Sequence, residues 1–249
     1  MMRIDAVLHP VELPALDLTD LRGTVCVVFD VLRATSTIVT ALAHGVKGVY
    51  PAGSIEEAHA LKQRFPEALL GGERQGRRIK GFDLGNSPLE YLDLEEKEII
   101  TTTTNGTVAL RACRHAAEVY AGALLNIDHL AEVLRRRRPD DLLLVCAGSG
   151  QGFSLEDAIG AGALVDRLQE VGPLLGDAAR AAHSLYAGHR RALEETFRLT
   201  LNGQALERIG KSADIAWCAR LSCYQGAPHM GKEDGVICIR GAGVSETPR

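Results

Sequence analysis

The stretch TVCVVFDVLRATSTIVTALAHG, residues 24–45, carries the clearest fold signal of this sequence. Residues 24–30 form a short apolar run, which predicts a strand buried on both faces. Residues 35–45 have apolar side chains at helical spacing and end in Gly45, a residue type that commonly stops helices. A buried strand followed directly by a helix is the unit from which parallel sheets with covering helices are built.

The same alternation of strand and helix continues along the chain. Apolar runs predict strands at 48–53, 98–104, 118–126, 141–148 and 235–241. Helical spacing predicts helices at 54–65, 106–116, 126–138 and 154–171, and a helical stretch at about 173–221. We therefore predict an α/β fold, a mostly parallel sheet layered with helices. We interpret residues 1–249 as one α/β domain, and a two-lobed organisation with a boundary near residues 120–140 is the alternative.

Composition limits the classes of function. Hydrophobic residues make up 46% of the 249, which is enough for a buried core. The net charge of −4 and the lack of a long basic tract argue against nucleic-acid binding. No run approaches about 18 consecutive apolar residues, and no apolar signal-peptide core follows the N-terminus, so we predict a cytoplasmic protein without a membrane span. The six cysteines form no C-x-x-C pair, which favours buried free thiols in a reducing compartment.

Polar and charged residues follow the first predicted strand. Asp30 ends the strand, Arg33 comes next, and Thr35 and Ser36 stand where the helix begins. A helix N-terminus has unpaired N–H groups that bind anions, and arginine adds a planar fork for phosphate, sulfonate or carboxylate. Asp30 is a candidate metal ligand. The alternative is that Thr35 or Ser36 only caps the helix and that Asp30 accepts backbone hydrogen bonds.

A second polar strand end lies at TTTTNGTVAL, residues 101–110. The hydroxyl groups of Thr104 and Thr107 flank Asn105 and Gly106, and glycine allows the backbone to turn sharply. We interpret this segment as a second nest of donors for an anionic group. The alternative is a β-turn with a threonine cap.

A third strand end, CAGSGQGFSLED, spans residues 146–157. Its glycines resemble a phosphate-binding loop, but the segment has no lysine and no complete G-x-G-x-x-G. Ser154 and Asp157 have the spacing of a capping box, which leaves Glu156 as an additional carboxylate in the first turn of the helix. A nucleotide or AdoMet site here is the alternative.

The glycine-rich segment GGERQGRRIKGFDLGNSP, residues 71–88, predicts a long loop, and long loops in compact domains are often functional. The segment supplies charged and amide side chains that the strand ends lack. These are the carboxylates Glu73 and Asp83, the cation Arg74, and the neutral Asn86 and Ser87. We interpret the neighbouring Arg77 and Arg78 as solvated.

Four of these blocks, in this order, resemble the 2-phosphosulfolactate phosphatase family (the ComB family). They are DVLRATSTIVTAL, GERQGRRIKGFDLGNSPLEY, TTTTNGT and CAGSGQGFSLEDAIGAG. The resemblance extends over about residues 5–240. It implies a ComB-like α/β fold and a Mg²⁺-dependent phosphatase that hydrolyses (2R)-2-phospho-3-sulfolactate to 3-sulfolactate and phosphate. In methanogens this reaction is a step of coenzyme M biosynthesis. The resemblance also implies that the protein is a homo-oligomer, and we expect a dimer.

We predict the following roles in such a site. The catalytic residues are Asp30, Arg33 and Glu73, and Mg²⁺ is held by carboxylates drawn from Asp30, Glu73, Asp83 and Glu156. The substrate-binding residues are Thr35, Ser36, Arg74, Asn86, Ser87, Thr104, Asn105, Gly106 and Thr107.

Two chemical routes and two other classes of function stay open at this point. Either a water molecule attacks the phosphorus, or Asp30 attacks and forms an aspartyl phosphate. We favour water, because Leu32 stands where haloacid-dehalogenase phosphatases have the second aspartate of D-x-D-x-T. The other classes are a phosphatase for another phosphorylated hydroxy acid and a non-catalytic binding module for a small polyanionic metabolite.

Overall fold

The computed structural model describes residues 1–16, 20–241 and 245–246. The strands are β1 (Arg3–Val7), β2 (Thr24–Phe29), β3 (Gly48–Pro51), β4 (Leu69–Arg74), β5 (Arg77–Arg78), β6 (Glu98–Thr102), β7 (Glu118–Gly122), β8 (Asp141–Cys146), β9 (Leu174–Leu175), β10 (Tyr224–Gln225), β11 (His229–Glu233), β12 (Val236–Arg240) and β13 (Ser245–Glu246). The α-helices are α1 (Leu13–Leu16), α2 (Ala34–Ala43), α3 (Ile55–Arg64), α4 (Gly106–Ala112), α5 (Ile127–Arg137), α6 (Leu155–Leu168), α7 (Asp177–His189), α8 (Leu193–Leu199), α9 (Leu201–Arg208) and α10 (Ser212–Cys218).

Among the described residues, eleven strands form one sheet in the order β5-β4-β6-β3-β12-β11-β7-β2-β8-β1-β9. The block β4-β6-β3 and the block β7-β2-β8-β1-β9 are each parallel. The antiparallel hairpin β11–β12 lies between them and pairs antiparallel with both neighbours. The predicted α/β fold with a mostly parallel sheet is confirmed. The insertion of the last predicted strand, as β12, in the middle of the sheet was not predicted.

Helices α2 and α4 pack against both parallel blocks. One apolar cluster joins Val28 of β2, Ile38 of α2, Leu110 of α4 and Ile99 of β6. Strands in a sheet twist by about 20–25° relative to each neighbour, and this twist accumulates from one block to the other. The segments that follow β6 and β8 are in contact although five strands separate these two in the sheet, since the Asn105 side chain donates a hydrogen bond to the carbonyl oxygen of Ala147 (3.0 Å).

The prediction of a long loop over residues 71–88 is wrong at its start, because β4 continues to Arg74 and β5 follows after a tight turn. The glycines conceal this strand in the sequence. A β-carbon on Gly71 would lie 2.3 Å from the Tyr91 hydroxyl, and one on Gly72 would lie 2.1 Å from the carbonyl oxygen of Thr102. These positions are glycine because the backbone approaches β6 and the buried Tyr91 closely.

The helical stretch predicted at 173–221 is confirmed as α7 to α10, preceded by the short strand β9. Leu206 of α9 and Ile215 of α10 belong to the same apolar cluster as Phe29 at the end of β2. These helices therefore reach the carboxyl end of the sheet, where the polar segments lie. Strands β1 and β11 were not predicted from the sequence.

Two further expectations concern thiols and membranes. The six cysteines are all free thiols, and all but Cys223 are buried, as the sequence predicted. No helix within the described residues combines the length and the apolar character that a membrane span needs.

Candidate functional site

A cleft of about 520 Å³ opens at the carboxyl ends of β2, β4, β6 and β8. Among the predicted site residues, those lining it are Asp30, Arg33, Glu73, Arg74, Asn86, Thr104 and Asn105. Further lining comes from Gln75, Ser149, Asn202, Leu206 and Ile209. The carboxyl ends of four separate strands therefore meet in one place, as expected for ligand sites of parallel α/β sheets.

Asp30 is buried in this cleft at the start of α2. One carboxylate oxygen, Oδ1, accepts a hydrogen bond from the backbone N–H of Ala34 (3.0 Å). Within the described residues, no hydrogen bond is found to the other oxygen, Oδ2. Burial, together with the neighbouring charges of Glu73 and Glu156, raises the pKa of Asp30 from 3.8 to about 7. The site thus holds an acidic group that would ionise more readily beside a cation.

Glu73 joins the end of β4 to the segment after β6. Its Oε1 accepts hydrogen bonds from the backbone N–H (2.8 Å) and the hydroxyl group (2.9 Å) of Thr104. Its Oε2 accepts one from the backbone N–H of Gly76 (2.7 Å). Both carboxylate oxygens therefore hold the cleft wall together.

Arg33 lies deep in the cleft wall and is bonded on two sides. Its Nη1 donates to Oδ2 of Asp214 (2.5 Å), and its Nη2 donates to the carbonyl oxygen of Gly76 (2.9 Å). The two side chains of the Arg33–Asp214 pair are 3% and 1% exposed. The ion pair is therefore shielded from solvent and from screening by salt.

Glu156 and Asp157, in the first turn of α6, have different hydrogen-bond partners. The Asn202 side chain donates a hydrogen bond to Oε1 of Glu156 (2.6 Å). Asp157 accepts hydrogen bonds from the backbone N–H groups of Val31 (2.8 Å) and Gly148 (3.0 Å). Burial, and after it the charges of Asp30 and Glu156, raise the pKa of Asp157. Ser154 caps α6 as predicted. In a full capping box the side chain of Asp157 would accept from the Ser154 N–H, whereas its carboxylate here accepts from the loops after β2 and β8.

Asn105 and Gly106 fix the segment after β6. The Asn105 side chain bonds the carbonyl oxygens of Ala147 and Gly150 and accepts from the backbone N–H of Gly150 (3.2 Å). Asn105 therefore clamps the loop after β8, and Gly106 lets α4 approach Asp30.

Arg74 and Asn86 also line the cleft. Arg74 donates from Nη1 to the carbonyl oxygen of Glu73 (2.7 Å) and from Nη2 to the hydroxyl group of Thr102 (3.2 Å). Asn86 is buried, and its backbone carbonyl accepts from the Thr37 hydroxyl group (3.0 Å). No partner for the Asn86 side-chain amide is found in the described part of the chain. That amide and the guanidinium of Arg74 are available to a ligand.

Several predicted residues lie outside the cleft, and their predicted roles stay predictions. The hydroxyl groups of Thr35, Ser36 and Thr107 bond to the backbone of Asp30, Val31 and Thr103, respectively. Each of the three thus braces the turn that leads into α2 or α4. Thr35 and Ser36 do not cap α2, since the N-cap position belongs to Arg33, which makes no side-chain capping hydrogen bond.

Ser87 and Asp83 also lie away from the cleft lining. Ser87 donates to Oδ1 of Asp214 (2.6 Å), behind Arg33. Asp83 is exposed and accepts from the backbone N–H of Leu70 (2.8 Å). It borders a neighbouring basic cavity with Arg77, Arg78 and Lys211.

Three residues that were not predicted as site residues complete the site. Asp214 and Asn202 come from the helices α10 and α9, far along the chain from their partners Arg33 and Glu156. Asp157 was interpreted only as a capping residue. Its position directly after Glu156 in the first turn of a helix was the single available signal.

The carboxylates in and beside the cleft are candidate ligands for magnesium. Within the described residues, no cluster of three or more His, Cys, Asp or Glu side chains has the geometry of a metal centre. Magnesium needs fewer, since it keeps several waters and is often held by one or two carboxylates. Asp30 Oδ2 and the second oxygen of Glu156 have no hydrogen-bond partner among the described residues. They fit such an ion.

The fold and the cleft together define an α/β protein in which guanidinium groups, amides and buried carboxylates meet at the carboxyl edge of the sheet. The sequence matches the family described as 2-phosphosulpholactate phosphatase over residues 10–233. A protein of Carboxydothermus hydrogenoformans, named probable 2-phosphosulfolactate phosphatase, is 38% identical over 96% of this chain and 97% of its own. A protein of Thermotoga petrophila with the same name is 44% identical over 86% of this chain and 91% of its own. Another with that name, from Gloeobacter violaceus, is 40% identical over 82% of this chain and 87% of its own.

The chain belongs to the 2-phosphosulfolactate phosphatase family. Such phosphatases are phosphoric monoester hydrolases. The resemblance found in the sequence is therefore confirmed, and so is the enzyme class that it implied.

Proposed function

We propose that this protein hydrolyses (2R)-2-phospho-3-sulfolactate to 3-sulfolactate and inorganic phosphate, with Mg²⁺ as cofactor. The observation that carries the proposal is one cleft lined by Asp30, Arg33 and Arg74, with the buried Glu156 close enough for its charge to raise the pKa of Asp30. Such a substrate has a phosphate, a sulfonate and a carboxylate on a three-carbon chain. It needs cationic and amide donors close to a site for a divalent cation.

The carboxylates support the magnesium part of the proposal. The pKa of Asp30 is raised by burial and by the neighbouring charges of Glu73 and Glu156, and a cation bound beside this carboxyl would favour its ionised form. Asp30 and Glu156 would hold Mg²⁺, which when bound supplies charge neutralisation for the phosphoryl oxygens. Glu73 would support the site through its hydrogen bonds to Thr104 and Gly76.

The other residues of the cleft bind and orient the substrate. Arg33 and Arg74 present guanidinium groups, which pair with phosphate or sulfonate oxygens in a fixed geometry. Asn86 donates from its side-chain amide to a carboxylate or an ester oxygen. Fixed donors around developing charge supply much of the catalysis in phosphoryl transfer.

Asp30 orients the attacking water molecule in this proposal. Its Oδ2, the oxygen without a partner among the described residues, would hold Mg²⁺, and the proton of the water passes to a phosphoryl oxygen of the substrate. Direct attack by Asp30 is the other route. Acid quenching followed by mass spectrometry separates the two, because only attack by Asp30 leaves a phosphorylated aspartate.

The decisive experiment measures phosphate release from purified protein and (2R)-2-phospho-3-sulfolactate. We expect release with MgCl₂, none with excess EDTA, and none from Asp30→Asn. The matched control is Arg77→Ala, an exposed cation outside the cleft, which should keep near-normal activity. Near-normal kcat in Asp30→Asn would contradict the proposed site.

The same assay identifies the substrate. A panel of other phosphorylated hydroxy acids tests whether one of them is hydrolysed with a higher kcat/KM. A protein that binds phosphosulfolactate, gains thermal stability from it and releases no phosphate is a binding module instead.

A role in coenzyme M biosynthesis, a cytoplasmic location and a homodimer are further parts of the proposal, and they rest on the family. Light scattering after size-exclusion chromatography tests the dimer, which predicts about twice the chain mass of 26.7 kDa.

A further inference from the structure

Asp214 lies directly behind the guanidinium of Arg33. It comes from α10, in a helical stretch that the proposed chemistry does not otherwise explain. Its Oδ2 accepts from Arg33 Nη1, and its Oδ1 accepts from the hydroxyl group of Ser87 (2.6 Å). Both carboxylate oxygens are therefore bonded, and the residue is 1% exposed.

Arg33 is held from a second direction by the turn between β4 and β5. Its Nη2 donates to the carbonyl oxygen of Gly76, whose N–H donates in turn to Glu73. The guanidinium is thus held between a carboxylate on α10 and a backbone carbonyl in the β4–β5 turn. Together, the two contacts restrict its rotation.

Arginine has five N–H donors. Within the described residues, Arg33 uses donors on Nη1 and Nη2 for Asp214 and Gly76, and the side chain also lines the cleft. The remaining donors are available to an oxyanion. Their direction depends on how Asp214 holds the planar group.

We propose that Asp214 is a positioning residue, which orients Arg33 so that its unused N–H groups face an oxyanion in the cleft. The proposal rests on the proposed function for the identity of that oxyanion, a phosphate or sulfonate group. Asp214 itself repels anions, so its contribution is orientation rather than attraction. A buried ion pair that served stability alone could be replaced by apolar residues at little cost.

The test is a double-mutant cycle with Asp214→Asn and Arg33→Gln. Two quantities are measured in each variant: the Kd for inorganic phosphate by calorimetry in MgCl₂, and KM and kcat for phosphate release. We expect Asp214→Asn alone to weaken phosphate binding and raise KM by at least about tenfold, because small misplacement of a binding group is costly. In the Arg33→Gln background, Asp214→Asn should have no further effect on either quantity.

Equal losses in both backgrounds, or an unchanged Kd in Asp214→Asn, would overturn the proposal. The matched control is Asp166→Asn, which removes a carboxylate paired with Arg167 and His183 on α6 and α7, away from the cleft. It should leave Kd and KM unchanged. A comparable loss in this control means that the effect of Asp214→Asn is general, which also overturns the proposal.

Loss of one partner of a buried ion pair is strongly destabilising, so Asp214→Asn can fail to fold. Ser87→Ala is the second variant, because it removes one hydrogen bond to Asp214 and leaves the ion pair in place. It should weaken phosphate binding by about twofold to tenfold, in line with the net contribution of one typical hydrogen bond. An unchanged Kd in Ser87→Ala contradicts the proposal.

The two proposals fail differently. A wild-type protein that binds phosphate but does not hydrolyse phosphosulfolactate contradicts the proposed function, while the binding cycle still tests Asp214. A wild-type protein that does not bind phosphate at all overturns the role of Asp214.

Discussion

Gly106, the first residue of α4, lies against the carboxylate of Asp30. A β-carbon on Gly106 would be 2.7 Å from Asp30 Oδ2 and 2.4 Å from the β-carbon of Ala34. Since Asp30 follows β2 and Gly106 follows β6, this contact joins the carboxyl ends of the two parallel blocks. The glycine is needed here for close approach.

We predict that Gly106→Ala displaces Asp30 and lowers both activity and stability. The added methyl group has no room, and overpacking of this kind costs about 1–3 kcal/mol in the free energy of unfolding. Urea unfolding and phosphate release measure the two effects. Gly188→Ala is the control, because Gly188 is exposed on α7 with no atom near its added methyl group, and there stability should rise by up to about 1 kcal/mol. A fully active and stable Gly106→Ala protein would show that the contact does not constrain Asp30.

Without a bound cation, Asp30 should make the protein less stable as the pH rises from about 4 to 7. Its pKa is raised from 3.8 to about 7, chiefly by burial, so in this interval the folded protein retains a proton that the unfolded chain has released. The free energy of unfolding therefore falls with pH. Asp157, whose pKa is also raised by burial, acts in the same direction.

Urea unfolding in EDTA at a series of pH values measures this effect, with Asp30→Asn as the comparison. The fall in stability should be smaller in the variant, and added Mg²⁺ should stabilise the wild type more at pH 7 than at pH 5. Identical pH dependence in the two proteins would contradict the raised pKa of Asp30.

Three of the predicted metal ligands, Asp30, Glu156 and Asp83, should separate into two groups. We expect Asp30→Asn and Glu156→Gln to weaken Mg²⁺ binding by at least about tenfold, as expected for groups at or next to a metal. Asp83→Asn should leave Mg²⁺ affinity unchanged, since that carboxylate is exposed outside the cleft. Calorimetric titration with MgCl₂, without substrate, measures the affinities. Weaker binding in Asp83→Asn alone would move the metal site to the neighbouring basic cavity.

Glu73→Gln should destabilise the protein even without magnesium. A glutamine oxygen cannot accept from both Thr104 and Gly76, and its NH₂ group would face an N–H donor. The expected loss is about 1–3 kcal/mol for a buried polar group left unsatisfied. Urea unfolding in EDTA measures it. Unchanged stability in EDTA combined with lost Mg²⁺ affinity would instead make Glu73 a metal ligand.

The repeated strand and helix pairs could be predicted because their signals are local. β8 and α6 show this clearly: an uninterrupted apolar run precedes a helix that Ser154 caps. The shared cleft could also be expected, because parallel strands direct their carboxyl ends to one edge. Asp30, Glu73 and Arg74 meet there.

Other features could not be predicted, because they depend on close packing between distant segments. Strand β4 was concealed by Gly71 and Gly72, which lack the apolar side chains that mark strands. The hydroxyl group of Thr35 was expected to face a ligand, whereas it bonds the backbone of Asp30. A side chain's direction depends on the neighbours that compete for its hydrogen bonds.

The sequence by itself determined the α/β class, the family and seven of the residues that line the cleft, because hydrophobic periodicity and short motifs are properties of neighbouring residues. Only the tertiary structure decided that β11 and β12 separate two parallel blocks, and that Asp214 pairs with Arg33 across 181 positions of the chain. Such pairings arise when distant segments bury their apolar faces together and leave charged groups to find partners. No local pattern in the sequence encodes that choice.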